Sequence, residues 1–354
     1  MSKIIDKYTI MYNYTIRESI KRMDEIGIGF IAVTNEFGKI CGVVTDGDFR
    51  RAILKGVSLD DDVIKIANKR FISIDPKYSD KEIKDIFKKN PIKHIPVIKN
   101  GKLVDLIIKE KFYSGEESIK YNQINLPVVI MAGGRGERLD PFTRILPKPL
   151  IPIGDKTVIE IIMDEYAKFG MKNFYISINY KGKMIKAYFE DFAGDYNISF
   201  IQEEKPLGTI GALKYLVGEI YTPFCVSNCD IIIKSDYTEI YKFHKKNGYI
   251  ITIVCSLQHH IIPYGICEIE NGGILKMFIE KPRYDLLVNT GMYIFNPEVL
   301  DYIPKNEAFD ITDLIKIILK KGKRVGVFPI SEKSWLDVGQ WEEYKETIKY
   351  LKLF

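Results

Sequence analysis

Three glycines and four cations crowd one short stretch of this chain. Gly133, Gly134 and Gly136 follow the apolar run Val128 to Met131, and Arg135, Arg138, Arg144 and Lys148 are interleaved with them or come soon after, in VVIMAGGRGERLDPFTRILPKPL. Glycine removes side chains where the backbone must turn sharply, which lets peptide N–H groups face an anion. Arginine and lysine add the charge, so the natural guest is a polyphosphate. Two common phosphate loops are excluded by spacing. A P-loop needs Gly-Lys-Ser/Thr, which this stretch lacks, and in a GxGxxG fingerprint Leu139 stands where the third glycine belongs. Further on, Phe224-Cys225-Val226-Ser227-Asn228-Cys229-Asp230 is an apolar strand ending in a carboxylate. Parallel strands deliver functional groups at such C-terminal ends.

The elements that position these groups belong to a chain of 354 residues, about twice the usual length of one domain. The composition, 46% hydrophobic and 28% charged, is that of a globular protein without low-complexity tracts. The longest apolar runs fall far short of the roughly 20 residues that span a bilayer. No signal peptide is legible at the N-terminus, so a cytoplasmic protein without a membrane role is expected. Five cysteines without a CxxC pair read as buried thiols on strands. Residues 1–125 carry 23 Lys and Arg against 18 Asp and Glu, and the remainder 29 against 29. No basic stripe with interleaved aromatics appears, so nucleic acid is not an expected partner.

The first 120 residues contain a weak repeat. TIRESIKRMDEIGIGFIAVTNEFGKICGVVTDGDFRRA reads as helix, strand, tight turn, strand, helix, and the pattern returns about 63 residues later. There it gives an amphipathic helix, a strand Ile95 to Ile98, a Lys99-Asn100-Gly101 turn and a strand Leu103 to Ile108. This resembles a tandem pair of cystathionine β-synthase (CBS) domains over residues 1–115. The resemblance implies a regulatory site for an adenine nucleotide, or a dimerising module, and a homodimer or higher homo-oligomer. In the first copy Thr45 and Asp48 match the family's nucleotide-holding pair; in the second, Ile108 and Lys111 occupy those places, leaving at most one ordinary site.

Residues 116–125 are polar and read as a linker. From Leu126 to Phe354 strands and helices alternate as in a parallel α/β sheet. The expected fold is therefore α/β, a Rossmann-like domain with a mixed, mainly parallel sheet preceded by the CBS pair. GGRGERLDPFTRILPKPL resembles the GGxGTRLxPLTxxxPKPL signature of sugar-1-phosphate nucleotidyltransferases, departing chiefly at Glu137 and Phe142. Later segments match that family in order: Glu203 to Ala212, Asp230, Tyr264-Gly265-Ile266, Glu280-Lys281-Pro282, Val288 to Tyr293, and Trp335-Leu336-Asp337-Val338-Gly339.

The resemblance implies a role for each. Ala132, Gly133, Gly134, Gly136, Gly208 and Thr209 lie against the nucleotide, with Gln202 or Glu203 reading the base edge. Gly265, Glu280, Lys281, Asn289 and Thr290 take the sugar phosphate. Asp230 and Asp337 hold Mg²⁺, and Arg138, Lys148 and Lys281 neutralise phosphates. The implied reaction joins a nucleoside triphosphate to a sugar 1-phosphate, giving a nucleotide sugar and pyrophosphate. The catalytic half looks most like guanylyltransferases. With a CBS pair in front, the architecture resembles the glucosamine-1-phosphate guanylyltransferases of bacterial legionaminic acid biosynthesis, which favours GTP and glucosamine 1-phosphate. Mannose-1-phosphate guanylyl transfer, uridylyl or thymidylyl transfer, and a non-catalytic protein that binds nucleotide sugars remain as alternatives.

Overall fold

The repeat folds as two copies of a helix followed by an antiparallel strand pair. The computed structural model describes residues 5–113, 121–190 and 194–352, and the chain divides into two compact units between Lys120 and Tyr121. In the first copy, helix Ile16–Ile26 starts in a capping box: Thr15 Oγ1 accepts from the Glu18 N–H at 3.1 Å, and the Glu18 carboxylate accepts from the Thr15 N–H at 2.8 Å. The helix buries Ile16, Ile20 and Met23 and stops at Gly27, whose φ of 73° suits glycine. Strands Phe30–Thr34 and Ile40–Thr45 pair antiparallel, with Thr9–Met11 parallel beside them, and helix Asp46–Leu54 follows. The second copy places helix Asp80–Lys89 before strands His94–Lys99 and Lys102–Ile108. Asn100 (φ 55°) and Gly101 (φ 79°) form the two-residue turn that the Asn-Gly pair favours.

Thr45 and Asp48 are engaged with each other. Asp48 Oδ2 accepts from the Thr45 N–H at 2.9 Å and from its Oγ1 at 2.7 Å, while Oδ1 pairs with Arg51. In this structure the pair closes the N-terminus of Asp46–Leu54, a structural role.

His94 gives this unit a pH dependence. Its ring packs against Phe30 at 5.2 Å, and burial together with the Lys93 charge pushes it down to about 4, against an opposing hydrogen bond with the Ile28 backbone. In the unfolded chain a histidine titrates near 6.5. The neutral ring's contribution is thus fully present above about pH 6.5 and lost as pH falls toward about 4, at most about 3 kcal/mol. His94→Gln is expected to flatten the acid limb of thermal stability followed by circular dichroism. An unchanged slope would move the effect to other groups.

The second unit is built on a seven-stranded sheet. Its spatial order is Asn197–Gln202, Asn173–Ile178, Val128–Met131, Phe224–Asn228, Arg283–Phe295, Ile251–Ile261, Val325–Ile330. Arg283–Phe295 is the one strand in this sheet running against the rest. The pleat divides the Val128–Met131 strand between two apolar clusters: Val128 and Ile130 enter one with Ile162 and Phe174, and Val129 enters the other with Leu213 and Phe295. A strand covered on both faces needs apolar residues throughout, as this one has. Tyr121 to Asn125 dock on this unit, the Tyr121 ring packing tilted against Phe169 at 4.8 Å and the Ile124 N–H donating to the Phe169 carbonyl at 2.7 Å. The first half of the expected linker lies outside the described residues.

The last helix, Trp341–Lys352, braces the glycine-rich loop: Trp341 Nε1 donates to the Asp140 carbonyl at 2.9 Å and its ring packs tilted against Phe142 at 4.8 Å. Cys225, Cys229 and Cys255 are buried and Cys41 is partly buried. Cys267 is exposed, contrary to expectation, because its strand lies in a ribbon that stands clear of the sheet. No helix among the described residues is long and apolar enough to cross a membrane.

Candidate active site

Two very short strands bring the carboxylates together. Ile231–Ile233 begins directly after Asp230, and Trp335–Asp337 ends on the other carboxylate; they pair antiparallel with Ile231 opposite Asp337. The Val338 N–H donates to the Asp230 carbonyl at 2.8 Å and continues the ladder. Lys148, from the turn Lys148–Leu150, forms an ion pair with the Asp230 carboxylate, and the two side chains are only 11% and 14% exposed. Asp337 Oδ1 accepts from the Gly339 N–H at 2.7 Å. Burial pushes the Asp337 carboxyl above the ordinary range and the Asp230 charge adds to this, while the Gly339 bond and Lys148 oppose it. Gly339 is wedged against all three groups. A Cβ there would lie 2.8 Å from Asp337 Oδ1, 2.9 Å from Asp230 Oδ2 and 3.2 Å from Lys148 Nζ.

A cavity of about 330 Å³ opens over these carboxylates, at the C-terminal ends of Val128–Met131 and Phe224–Asn228. Met131, Arg138, Thr209, Asn228, Asn289 and Trp335 contribute to its wall. Arg138 is exposed and has no carboxylate partner among the described residues. Gly136 takes φ 68°, and a Cβ on it would meet Thr143 Cγ2 at 2.9 Å, so the loop folds tightly over Thr143 and Lys148. Around Gly134 there is open space for an approaching group.

The predicted residues separate into cavity groups, braces and an outlying set. Arg138, Thr209, Asp230, Asn289, Thr290 and Asp337 line the cavity, with Lys148 bonded to Asp230. Ala132 is a brace, since its N–H donates to the Ser177 carbonyl at 2.9 Å and is not free for phosphate. Glu203 is buried, with one carboxylate oxygen held by Ser177 and the other by the Leu207 N–H at 3.1 Å. It lies beneath Gly133, where a Cβ would meet it at 2.7 Å, so of the two base-edge candidates Gln202 is the exposed one. Thr290 is 2% exposed and donates to the Val254 carbonyl at 2.8 Å. It fills the irregularity at Val254/Cys255, where the ladder passes from Met292 to Asn289. Gly208, at φ 75°, and Thr209 fasten to a distant helix start: the Thr209 N–H donates to Asp310 and Thr209 Oγ1 accepts from the Ile311 N–H, both at 2.9 Å. Gly265, Glu280 and Lys281 are not among the cavity walls. They sit together on the projecting ribbon, where a Cβ on Gly265 would lie 2.9 Å from Glu280 Oε2.

Lys181 escaped the sequence reading. Its Nζ donates to the carbonyls of Thr143 at 3.0 Å and Arg144 at 2.6 Å, clamping the segment between Arg138 and Lys148. Its φ of 52° was a signal no sequence pattern carries.

A mainly parallel sheet with a glycine-rich loop and two carboxylates at its strand ends defines a nucleotide-handling α/β protein. Residues 127–352 match the family described as Nucleotidyl transferase, and the chain belongs to it. Residues 1–55 and 62–111 match the CBS domain. The chain is 31% identical over 233 residues to the mannose-1-phosphate guanyltransferase of Saccharomyces cerevisiae, covering 63% of this chain and 64% of that protein. It is 29% identical over 247 residues to the UTP–glucose-1-phosphate uridylyltransferase of Synechocystis sp., covering 63% of each. The chain thus spans less than two thirds of the length of these curated relatives. Among solved structures, HddC from Yersinia pseudotuberculosis complexed with GMP-PN is 25% identical with a TM-score of 0.50, over 64% of this chain and 99% of that one.

Proposed function

We propose that this chain transfers a nucleoside monophosphate from a nucleoside triphosphate, GTP in the first instance, to a sugar 1-phosphate, releasing pyrophosphate. The observation that carries this is the juxtaposition of Asp230, Asp337 and Lys148 beneath a cavity whose rim holds Arg138. An oxygen of the sugar phosphate attacks the α-phosphorus in line, a new P–O bond forms, and the bond to the bridging oxygen of pyrophosphate breaks. The nucleophile already carries its charge, because a phosphomonoester's second pKa is about 6. No general base is required, in keeping with a cavity wall free of histidine among the described residues. The barrier is electrostatic, so positioned cations and loop amides lower it. Arg138 and the Gly134–Gly136 backbone meet the triphosphate and Lys148 the reacting phosphates; Lys281, which lies on the ribbon outside the cavity wall, is assigned to the sugar phosphate on the family resemblance alone.

Asp230 and Asp337 suit a magnesium ion. They are hard oxygen donors held side by side, with Gly339 leaving room above them, and magnesium takes one or two carboxylates and completes its shell with water and phosphate. Bound there, the ion would supply charge neutralisation at the α-phosphate.

GTP is favoured by the guanyltransferase named among the relatives and by the GMP-PN complex of a similar fold; the uridylyltransferase relative supports UTP as the second choice. Glucosamine 1-phosphate is the first acceptor to test, because of the CBS pair, and mannose 1-phosphate the second. Pyrophosphate release with GTP, UTP, dTTP and CTP against a panel of sugar 1-phosphates decides among them. Silence with every pair would overturn catalysis in favour of a binding protein. For the CBS unit, an adenine nucleotide at Thr45 and Asp48 is expected to give binding heat when AMP, ADP or ATP is titrated into the full chain.

Lys181 tests the loop's part. Losing its two bonds costs about 1.4 kcal/mol, or about tenfold. Lys181→Ala is expected to raise the KM for the triphosphate by that factor with a smaller change in kcat, and Lys181→Arg to recover part of it. An unaltered KM would make the clamp irrelevant to the nucleotide.

A further inference from the structure

Lys148 reaches Asp230 from beneath the glycine-rich loop. Pro147 and Pro149 flank it, and the turn Lys148–Leu150 fixes its backbone, the Leu150 N–H donating to the Pro147 carbonyl at 2.9 Å and the Ile151 N–H to the Lys148 carbonyl at 3.2 Å. The stem runs under Gly136, where an added Cβ would lie 3.1 Å from Lys148 Cβ and 3.4 Å from its Cδ. The head then donates to Asp230 Oδ2. A fixed backbone and an unbranched four-carbon stem leave one freedom, the swing of the ammonium.

The oxygen that Lys148 holds is the one that faces the second carboxylate. A Cβ on Gly339 would lie 2.8 Å from Asp337 Oδ1 and 2.9 Å from Asp230 Oδ2, so these two oxygens look onto one point. A divalent ion shared by the carboxylates would use them both. Lys148 Nζ stands 3.2 Å from the same point. One oxygen cannot accept an ammonium proton and bind a divalent ion without setting two cations side by side, and between nearly buried groups water screens that repulsion poorly. Removing the ammonium with nothing in its place is also costly, since two carboxylates would then face each other unneutralised.

We propose that Lys148 is the resident cation of the carboxylate pair in the free protein, and that it yields Asp230 to the metal ion when a triphosphate beneath the glycine-rich loop takes its ammonium in exchange. Lys148 thus has two alternative partners, a carboxylate and a phosphate, and one side-chain swing joins metal entry to triphosphate entry. Without nucleotide the chain holds divalent cations weakly, because each ion must break the Lys148 pair. Metal and triphosphate then raise each other's affinity by the same factor. The proposal rests on the magnesium assignment above but not on the identity of the base or sugar.

Mn²⁺ is the probe, titrated into the full chain without nucleotide and followed by the electron paramagnetic resonance of the free ion. Lys148→Met keeps the stem and removes the charge. It should bind Mn²⁺ at least about tenfold more tightly than the wild type, the worth of a hydrogen bond between charged groups. Lys148→Arg, which keeps a cation for Asp230, should show no gain. Arg138→Met removes a cation from the same cavity without touching Asp230, and should shift the affinity by less than about fivefold, the ceiling for an exposed, screened charge. If Lys148→Met fails to fold, Lys148→Gln should still bind Mn²⁺ more tightly than the wild type. In calorimetry, Mg²⁺ should strengthen the binding of inorganic triphosphate about tenfold more in the wild type than in Lys148→Met, chelation in solution being common to both. A wild type that binds Mn²⁺ as tightly as Lys148→Met, an equal gain in Arg138→Met, or an equal effect of Mg²⁺ on triphosphate in both proteins would each overturn the exchange. Mn²⁺ held by none of these proteins at millimolar concentration would overturn it together with the metal assignment. A gain in Lys148→Met in a chain that transfers no nucleotide to any sugar phosphate supports the exchange and counts against the proposed function alone.

Discussion

Asp230→Ala and Asp337→Ala should each lower turnover by at least about a hundredfold, the scale of losing one preorganised electrostatic group at a reacting phosphate. The two should differ in stability. Asp230 neutralises Lys148, and both side chains are nearly buried. Its removal strands an ammonium in a poorly hydrated place, and breaking such a pair destabilises by about 3–5 kcal/mol. Asp337 is the reverse case. Its carboxyl is held above the ordinary range first by burial and then by the Asp230 charge. An acid with a raised folded pKa binds its proton more readily in the folded chain, so it costs stability at neutral pH, and the cost is relieved as pH falls through the folded value.

Asp337→Asn, which keeps an oxygen for the Gly339 N–H, should therefore melt at or above the wild-type temperature at neutral pH without added divalent cation. That advantage should shrink on acidification. Loss of activity joined to unchanged or higher stability is what a functional carboxylate, unlike a structural one, gives. Near wild-type pyrophosphate release in either alanine variant would remove the carboxylate pair from the reaction.

Much of this arrangement was legible in the sequence because it depends on residue type and order. An apolar run covered on both faces becomes a buried strand, glycines mark the loop after it, an aspartate after Phe224 to Asn228 falls at a strand end, and Asn100-Gly101 turns a hairpin. Less was legible where the outcome depends on which way a side chain points. Glu203 and Thr290 occupy motif positions but are buried, and their oxygens satisfy backbone or hydroxyl groups that would otherwise be unpaired. A buried polar brace and a ligand-facing polar group look alike in a string of letters. Lys148 and Asp230 meet only because the fold closes a long excursion between them, and the Lys181 clamp depends on a left-handed backbone that favours glycine over lysine. The ribbon reads as two ordinary strands, since no alternation of residues tells that the neighbouring strands end early.

Gly339→Ala isolates the geometry of the carboxylates from their charge. Gly339 has no positive φ, so the backbone accepts alanine, and the N–H bonded to Asp337 is retained. What changes is a methyl group placed 2.8 Å from Asp337 Oδ1 and 2.9 Å from Asp230 Oδ2, contacts below 3.0 Å that force the carboxylates apart. Misplacing reacting groups by about 1 Å costs about a hundredfold. The expected result is a kcat about a hundredfold lower with the KM for the triphosphate little altered, and a lower melting temperature as the displaced Asp230 loosens its ion pair with Lys148. Gly134→Ala is the matched comparison, because a Cβ there meets nothing within 4 Å and φ is again unexceptional. It should leave stability unchanged and raise the KM for the triphosphate, since the open space it fills is where the phosphates approach. If Gly339→Ala turned over normally, the carboxylates would have to act without their observed spacing, and the site beneath Arg138 would not be where the phosphoryl group is transferred.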